Sequence, residues 1–379
     1  VQNHVFDERR LTEGGKSCIK KLPKTFLRIL DRPLGVREMP ITIQDVAKAA
    51  GVTVGTVSRA LNNYPDINVH TRERVLRAAQ ELGYRPNQVA RNLSSKHTKN
   101  IALLLSGFLE DKMFNDFETM LMKGSYQFAF EHGLEISMYV INSQIQQEKS
   151  YEQLCYEHNI AGAIIFGLKT TDPWCDALAE STRPCVTIDV EIKGKNISNV
   201  TLDNIAAFDE LTQYLVDQGH RKIVLVHGRK NAMVSMERLA GAYQAFDRNG
   251  MQLTHDSIIY TNFLKENATA GVLEYFKAHE PEDVTAFLCM SDLLAIGVVE
   301  ALKSQGYRVP QDYSVVGYDG LEVTNYTDPR LTTIDQNIWR KGYEAASLLW
   351  DMLNGRREAQ RLVLPHTLIC RDSVKSISD

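Results

Sequence analysis

The sequence predicts two kinds of fold in one chain: an all-α helix-turn-helix head, followed by a larger α/β core. Short apolar patterns at helical spacing, separated by glycines, occupy residues 39–84. From residue 101 onward, continuous apolar runs of strand length alternate with longer helical stretches. The charge also changes sign: residues 39–98 carry eight Lys/Arg against four Asp/Glu, and residues 99–379 carry 26 against 38. A small basic head on an acidic body predicts that only the head meets a polyanion.

Residues 1–38 differ from both parts. They carry nine Lys/Arg and five Asp/Glu, together with a Gly-Gly pair and two prolines. They contain no apolar run of about 7 residues, which excludes a secretory signal peptide. Because Met39 opens a coherent domain, we interpret residues 1–38 as a non-native or disordered extension. The alternative is a basic arm that binds nucleic acid.

Residues 42–61 predict two helices joined by a tight turn. Thr42 is a candidate N-cap, and Asp45 can complete a capping box. Gly51 is expected to end the first helix in the left-handed conformation, and Thr53 to cap a second helix over Val54–Leu61. The apolar face of the first helix consists of Ile43, Val46, Ala47 and Ala50.

A polar loop over residues 62–66 leads to a third predicted helix over residues 71–82, which ends before Gly83. Its apolar face would close a three-helix core and consists of Val75, Leu76, Ala79 and Leu82. Pro86 then starts a short predicted helix. We expect a helix-turn-helix domain at 39–84, a hinge helix and linker at 85–98, a core domain at 99–373 and a tail at 374–379.

The core has nine strand candidates. They are residues 101–105, 134–141, 161–167, 185–189, 222–228, 257–260, 285–291, 313–319 and 331–335. Apolar strands that alternate with helices predict parallel sheets covered on both faces. Ligands of such sheets bind beyond the carboxyl ends of the strands.

The head resembles the DNA-binding domain of the lactose-repressor (LacI/GalR) family without a break over residues 41–93. The resemblance rests on TIQDVAKAAGVTVGTVSRALNN, TRERVLRAAQELGYRPNQVARNL and the position of GYRPN directly after the third helix. The core resembles the family's periplasmic-binding-protein-like domain through GHRKIVLVHG, ERLAGAYQAF, FLCMSDLLAIGVVEALKSQGYRVPQDYSVVGYDG and DPRLTTIDQN. This resemblance implies two Rossmann-like lobes with an effector in the cleft between them. We expect the three crossovers near residues 198–201, 325–331 and 355–360.

The resemblance assigns base contacts in the major groove to Val54, Gly55 and Arg59 on the second helix. Arg59 can donate two hydrogen bonds to a guanine, Val54 offers a methyl surface, and Gly55 offers no side chain. The alternative for Arg59 is an ion pair with a surface carboxylate. Candidate contacts to the DNA backbone are Thr53, Thr56, Ser58 and Asn62.

The resemblance also assigns the hinge to the minor groove. Leu93 takes the position of a leucine that wedges open a base step and kinks the DNA. The other candidate hinge contacts are Asn87, Ala90 and Arg91.

Three charged residues are candidate effector contacts by resemblance. Arg238 would grip a carboxylate or sugar hydroxyls, Asp319 would accept hydrogen bonds, and Asp189 takes the position of an acidic residue found in sugar-responsive members. Asp292 is either a fourth contact or the cap of the following helix. Gln336 would touch the ligand or the contact between the lobes.

Two aromatic residues complete the predicted cleft. Phe114 takes the position of a ring that covers the ligand, and Phe263 is either a second stacking face or part of the apolar core. Carboxylates and an arginine that face aromatic rings suit a sugar or glycoside. Residues 231–235 also lack the arginine and threonine pattern of purine-responsive relatives. A purine, a nucleoside or a protein co-regulator remains an alternative.

These features predict a repressor that binds double-stranded operator DNA as a homodimer, because one head reads only a half-site. The family's tetramerising leucine heptads are absent after Cys370. The rival hypothesis is a cytosolic sugar-binding module without gene control, whose head docks a protein.

No motif in the sequence indicates an enzyme, a cofactor or a metal site. The sequence contains no GxxxxGK[ST], GxSxG or HExxH motif and no GxGxxG after a strand. We expect His220 in a surface turn and His227 in the core. No apolar stretch reaches about 18 residues, so no membrane-spanning helix is expected. We interpret the six scattered cysteines as buried thiols of a cytoplasmic, nucleoid-associated protein.

Overall fold

The computed structural model describes residues 41–61, 64–84, 100–107 and 116–377. The chain divides into two compact units, Val1–Ser94 and Ser95–Asp379. Some predicted features lie outside the described residues: the extension at 1–38, Asn62, Phe114, and the hinge residues Asn87, Ala90, Arg91 and Leu93.

The head forms three helices around one small core: α1 (Ile43–Ala50), α2 (Val54–Leu61) and α3 (Val69–Glu81). The predicted capping box of α1 is confirmed, because the backbone N–H of Thr42 donates to Asp45 Oδ2 over 2.8 Å. Gly51 ends α1 with φ of 63°, in the left-handed region. The core contains Val46, Ala47, Ala50, Val57, Ala60, Val75, Ala78 and Ala79.

Helix α3 differs from the prediction at its start and on its face. It begins two residues early, at Val69, because the side chain of Asn68 accepts a hydrogen bond from the His70 N–H over 2.9 Å and caps it. Leu76 was expected in the core but is exposed, and Ala78 is buried instead. The close packing of α3 on α1 and α2 turns the small residues inward.

The second unit consists of two α/β lobes, whose elements we number in chain order. The sheet of lobe 1 contains β1 (Asn100–Ser106), β2 (Glu135–Ile141), β3 (Gly162–Phe166), β4 (Cys185–Ile188), β5 (Ile197–Leu202) and β11 (Arg361–Leu364). Its order is β11-β5-β4-β3-β1-β2, and all neighbours are parallel. The helices of lobe 1 are α4 (Asp116–His132), α5 (Ser143–Glu148), α6 (Tyr151–Glu157), α7 (Trp174–Ala177) and α12 (Ile338–Leu353).

Lobe 2 repeats this plan. Its sheet contains β6 (Ile223–His227), β7 (Ile258–Tyr260), β8 (Ala286–Cys289), β9 (Ser314–Asp319), β10 (Thr332–Asp335) and β12 (Thr367–Ile369). The order is β12-β10-β9-β8-β6-β7, and β12 pairs antiparallel with β10 while the others are parallel. The helices are α8 (Asn204–Asp217), α9 (Met233–Arg248), α10 (Lys265–Ala278) and α11 (Asp292–Ser304). The predicted two-lobed α/β core is therefore confirmed.

All three predicted crossovers are misplaced, the first by two residues and the other two by about five. The chain crosses between β5 and α8, between β10 and α12, and between β11 and β12. Residues 198–201 belong to β5, residues 325–331 precede β10 within lobe 2, and residues 355–360 connect two elements of lobe 1. The first and third crossovers were misplaced because the pairing of β5 with β11, which places Asn199 opposite Arg361, was not foreseen.

Helices α4 and α12 approach each other closely on lobe 1. A Cβ added at Gly342 would overlap the carbonyl oxygen of Leu121, and one at Gly124 would overlap that of Trp339. The Ser125 hydroxyl donates to the Gly342 carbonyl over 3.0 Å. Two glycines therefore set the distance between these helices.

The structure also tests the predictions made for the histidines, the cysteines and membrane-spanning helices. His220 is fully buried rather than in a surface turn, whereas His227 is buried as expected. Cys370 is exposed, in contrast to the buried Cys155, Cys185 and Cys289. Within the described ranges, no helix has both the length and the apolar character needed to cross a bilayer.

Candidate functional site

Helix α2 presents an open face at its N-terminal end. Val57 and Ala60 point into the core, while Val54 is 41% exposed. A Cβ at Gly55 would meet only the Thr53 hydroxyl, 3.8 Å away. A flat and largely apolar first turn can approach a groove of DNA closely. The base and backbone contacts predicted for this face remain predictions.

Thr53 and Thr56 are tied to each other. The Thr53 hydroxyl accepts a hydrogen bond from the Thr56 N–H over 3.2 Å, and the two hydroxyl oxygens lie 2.9 Å apart. Thr53 therefore caps α2 as predicted. Ser58, one turn later on α2, is half-buried.

Arg59 is held by the loop that follows α2. Its guanidinium forms an ion pair with Asp66 and lies 5.6 Å from the ring centre of Tyr64. The alternative predicted for Arg59, an ion pair with a surface carboxylate, is therefore present in the structure. Both side chains are about half exposed, and such a pair contributes little stability. The ion pair thus leaves Arg59 available for DNA.

A buried ion pair lies at the carboxyl edge of lobe 1. Asp189 follows β4 with φ of 62°, and Lys341 lies on α12. Lys341 Nζ donates to Asp189 Oδ1 over 2.8 Å and to Oδ2 over 3.0 Å. The Thr201 hydroxyl also donates to Asp189 Oδ1, over 3.1 Å. Burial lowers the pKa of Lys341, while Asp189 raises it.

Gln336 connects this pair to lobe 2. Its Oε1 accepts from Lys341 Nζ over 2.6 Å, and its Nε2 donates to Asp319 Oδ1 over 2.6 Å. A lysine can only donate and a carboxylate accepts, so the two neighbours fix the orientation of the amide. Gln336 therefore bridges the lobes, at the crossover between β10 and α12.

Arg238 forms the lobe 2 end of the network. Its guanidinium lies 3.8 Å from the ring centre of Tyr318, and Nη1 is 3.9 Å from Asp319 Oδ1. Nη1 also donates to the Met290 carbonyl over 2.5 Å, and Nε donates to Asn204 Oδ1 over 3.2 Å. Burial raises the pKa of Asp319 to about 8, against the lowering effect of Arg238. Asp189, Arg238, Asp319 and Gln336 thus meet in one network.

Of the two roles predicted for Asp292, that of the cap of the following helix is wrong. Ser291, not Asp292, caps α11, because its hydroxyl accepts from the Leu294 N–H over 3.3 Å. The Asp292 carboxylate accepts from the Leu321 N–H over 2.8 Å and from the Thr333 hydroxyl over 2.6 Å. Asp292 is fully buried, and burial raises its pKa to about 6. It holds the turn after β9, and its contact with the effector remains a prediction.

Two aromatic groups lie at the same edges of the sheets. The ring of Phe263 packs against Gly228, directly after β6, where any Cβ would overlap it. Phe263 also packs on the core of lobe 2, so the two predicted roles are not exclusive. In lobe 1, Phe117 and Phe166 stack with ring centres 5.3 Å apart.

A contact between the lobes closes the structure near residue 231. The backbone N–H of Thr170 donates to the Asn231 carbonyl over 3.0 Å, and the Thr170 hydroxyl donates to the same oxygen over 3.2 Å. Met233 packs on the apolar cluster of lobe 1. Strand β6, which precedes Asn231, is remote from the strands next to the crossovers. This pair of residues, Thr170 and Asn231, is called the latch below.

Sequence reasoning missed several residues of the cleft, above all Lys341, Asn204 and Tyr318. The signal for Lys341 was present, since it falls on the apolar face of α12 with Ile338 and Ala345. A lysine at that position is buried together with the apolar residues of the same helix face. In the part of the chain that the structure describes, no group of three or more His, Cys, Asp or Glu could hold a metal ion.

Known proteins share this organisation. Residues 42–87 match the family "Bacterial regulatory proteins, lacI family", and residues 212–374 match the "Periplasmic binding protein-like domain". The HTH-type transcriptional regulator CelR of Thermobifida fusca is 32% identical over 335 residues, which cover 88% of this chain and 98% of CelR.

Solved structures of related regulators are similar to this chain over most of its length. A CelR–cellobiose complex has a TM-score of 0.67 at 31% identity and covers 88% of this chain and 99% of its own. The lac repressor dimer bound to operator and the anti-inducer ONPF has a TM-score of 0.77 at 26% identity, covering 89% and 99%. Together with the open face of α2 and the two-lobed core, these matches show that the chain belongs to the lacI family of DNA-binding transcriptional regulators, which are not enzymes.

Proposed function

We propose that this regulator is a repressor whose hold on operator DNA is controlled by a small, uncharged, hydroxyl-rich molecule in the cleft. The observation that carries the proposal is the buried network from Asp189 to Arg238, which gathers donors and acceptors from both lobes. A ligand that contacts the residues of both lobes binds with a different affinity to each arrangement of the lobes. Only such a difference can shift the regulator between two states.

The charge balance of the cleft favours a neutral effector. Lys341 pairs with Asp189, and Arg238 has two acidic neighbours, Asp319 and Glu237. Because burial raises the pKa of Asp319 to about 8, that carboxyl holds a proton at neutral pH and leaves Glu237 as the carboxylate beside Arg238. A phosphate or carboxylate on the ligand would add an uncompensated negative charge. Hydroxyls can both donate to the carboxylates and accept from the cations.

Stacking supports a ring-shaped ligand. Phe263, Phe117 and Phe166 supply apolar faces at the carboxyl ends of both sheets. The related CelR structure is a complex with cellobiose. A sugar or glycoside therefore fits this cleft, and we retain that prediction as our proposal.

A second copy of this chain completes the regulator. One helix-turn-helix reads one half-site, and two are needed for a pseudo-palindromic operator. Lobe 1 exposes Tyr126 and Phe130 on α4 and Met138 on β2, with Phe130 83% exposed. The lac repressor neighbour is a dimer on its operator. We propose that a homodimer covers this apolar face and that it acts at the nucleoid in the cytoplasm.

The DNA contacts complete the proposal. Val54, Gly55 and Arg59 would read bases, and Thr53, Thr56, Ser58 and Asn62 would hold phosphates. Asn87, Ala90, Arg91 and Leu93 stay assigned to the minor groove. The number of phosphates held is measurable, since the log–log slope of affinity against salt is about −0.9 per phosphate.

One experiment tests the effector. A thermal-shift screen would compare neutral sugars, sugar phosphates, nucleosides and purine bases, where a ligand at 100 times its Kd adds about 2.7 kcal/mol of stability. We expect hits among neutral sugars that disappear in Asp319→Asn and persist in Asp312→Asn, the same change at a half-buried carboxylate outside the cleft. Hits among sugar phosphates alone would contradict the neutral cleft. Hits among purines alone would contradict the sugar.

A second experiment tests gene control. Selection from a random DNA library should yield a palindromic motif, and the effector should change the yield of bound DNA. A chain that selects no motif at any salt concentration would favour a sugar-binding module without gene control.

A further inference from the structure

The loop after α2 carries an acidic residue, Asp66, in contact with the arginine proposed to read a base. Arg59 and Asp66 form an ion pair, and the Tyr64 ring lies 5.6 Å from the guanidinium. Within the described residues, these two contacts hold the Arg59 side chain. Its position is thus set by the loop rather than by α2 alone.

The loop is fixed on both sides of Asp66. The Tyr64 N–H donates to the Arg59 carbonyl over 3.0 Å, and Arg72 Nη2 donates to the Tyr64 carbonyl over 2.6 Å. Ile67, on the other side, packs against the core of the head. Asp66 therefore holds a defined position opposite Arg59, unlike a carboxylate on a free surface loop.

An arginine with one guanidinium nitrogen in an ion pair can still donate hydrogen bonds to a base. The guanidinium has five N–H donors in a rigid fork, and the ion pair joins Asp66 to Nη2. The remaining donors suffice for two hydrogen bonds to a guanine. A free arginine instead loses rotamer freedom on binding and also pairs with any nearby phosphate.

We propose that Asp66 is a positioning residue for sequence recognition: it holds Arg59 in the orientation that reads a base and disfavours contacts of Arg59 with phosphates. Its own negative charge repels the DNA backbone, which weakens binding to unrelated sequences. Asp66 thus widens the difference between the operator and other DNA. This inference rests on the proposed reading of a base by Arg59.

The test uses the full chain and a random double-stranded DNA library, with affinities measured for the selected sequence and its single-base variants. In Asp66→Asn, we expect discrimination at one base pair to fall by about threefold to tenfold, part of what a bidentate arginine supplies. Affinity for unrelated DNA should rise. Discrimination at the other positions should remain.

Glu73→Gln is the matched control. It removes the same charge from the head at an exposed position on α3, where Glu73 Oε2 lies 4.0 Å from His70 Nδ1. A pure charge effect would appear equally in both variants, whereas loss of discrimination at one base pair should appear in Asp66→Asn alone. Melting temperatures equal to that of the unaltered chain would show that the head remains folded in both variants.

Arg59→Ala separates the two proposals. If it abolishes preference at one base pair, the reading of a base by Arg59 stands, and Asp66→Asn should then have no further effect in the Arg59→Ala background. If Asp66→Asn keeps or sharpens the preference, Asp66 is only a charge that opposes binding, and the inference is wrong. If the unaltered chain selects no motif, both proposals fall.

Discussion

Lys341 and Asp189 form a bidentate ion pair in which the lysine is closed off from solvent, although α12 and β4 are far apart in the chain. The three protons of the ammonium have three acceptors: both oxygens of Asp189 and Oε1 of Gln336. Such full satisfaction is what allows a lysine to stay charged in the interior. The pair fixes the cleft wall before any ligand arrives.

Lys341→Met should destabilise the core by about 3–5 kcal/mol, because Asp189 would remain buried without a cation. Urea unfolding measures the loss. Lys341→Met combined with Asp189→Asn should cost less than Lys341→Met alone. Lys303→Met, which breaks an exposed pair with Asp328, should cost less than about 1 kcal/mol. A loss for Lys341→Met as small as that of Lys303→Met would contradict the role given to the buried pair.

The latch predicts a change in the closure of the lobes. Thr170→Val keeps the shape of the side chain but removes its hydrogen bond to the Asn231 carbonyl, worth about 0.5–1.5 kcal/mol. We expect faster hydrogen exchange around residues 169–172 and an effector affinity lower by about twofold to tenfold. Thr327→Val removes a hydroxyl contact within lobe 2 and should leave both unchanged. Equal exchange in both variants would show that the latch does not hold the lobes together.

The close approach of α4 and α12 makes Gly342 sensitive to one added carbon. Gly342→Ala should destabilise lobe 1 by about 1–3 kcal/mol, because the new methyl overlaps the Leu121 carbonyl. The same change at Gly55, an open position on a helix, should stabilise the head by about 0.5–1 kcal/mol. Calorimetry distinguishes the two if the head and the core unfold separately. A neutral Gly342→Ala would mean that α12 can move away from α4.

His220 links stability to pH. Its ring nitrogens lie 3.0 Å from the Thr285 hydroxyl and 3.2 Å from the Lys375 carbonyl, and burial lowers its pKa from 6.5 to about 4. The unfolded chain therefore binds a proton below pH 6.5 that the folded chain does not accept until about pH 4. This contribution to stability is present above pH 6.5 and is lost as pH falls toward 4.

We expect the unfolding free energy to fall with pH in this window, with His220 contributing at most about 1.4 kcal/mol per pH unit. His220→Gln should flatten that dependence. His255→Gln, a change at an exposed histidine of lobe 2, should not. An unchanged slope in His220→Gln would assign the acid sensitivity to other groups.

Features set by neighbouring residues could be predicted from the sequence. The capping box of Thr42 and Asp45, the left-handed Gly51 and the start of α2 at Val54 depend on contacts within a few residues. Apolar strands such as β1 and β8 are also recognisable, because both faces of their sheets are covered. These features gave the fold class without any knowledge of long-range contacts.

Features that depend on distant partners could not be predicted. Strand β5 contains Ser198, Asn199 and Thr201, which read as a loop; they are buried because Ser198 accepts from the Gln360 N–H and Asn199 donates to the Thr187 carbonyl. The first and third crossovers were misplaced for this reason. The burial of Lys341 could be read from its register on α12, but its ion pair could not, since only the fold brings Lys341 to Asp189.

The interleaving of the lobes also constrains the order in which the chain matures during synthesis. The residues of α1 to α3 leave the ribosome before those of the two lobes and can bury their apolar face at once. Neither sheet can be complete so early, because β11 and β12 are made after all the other strands. A nascent chain would thus carry a folded head while both lobes of its core are still incomplete.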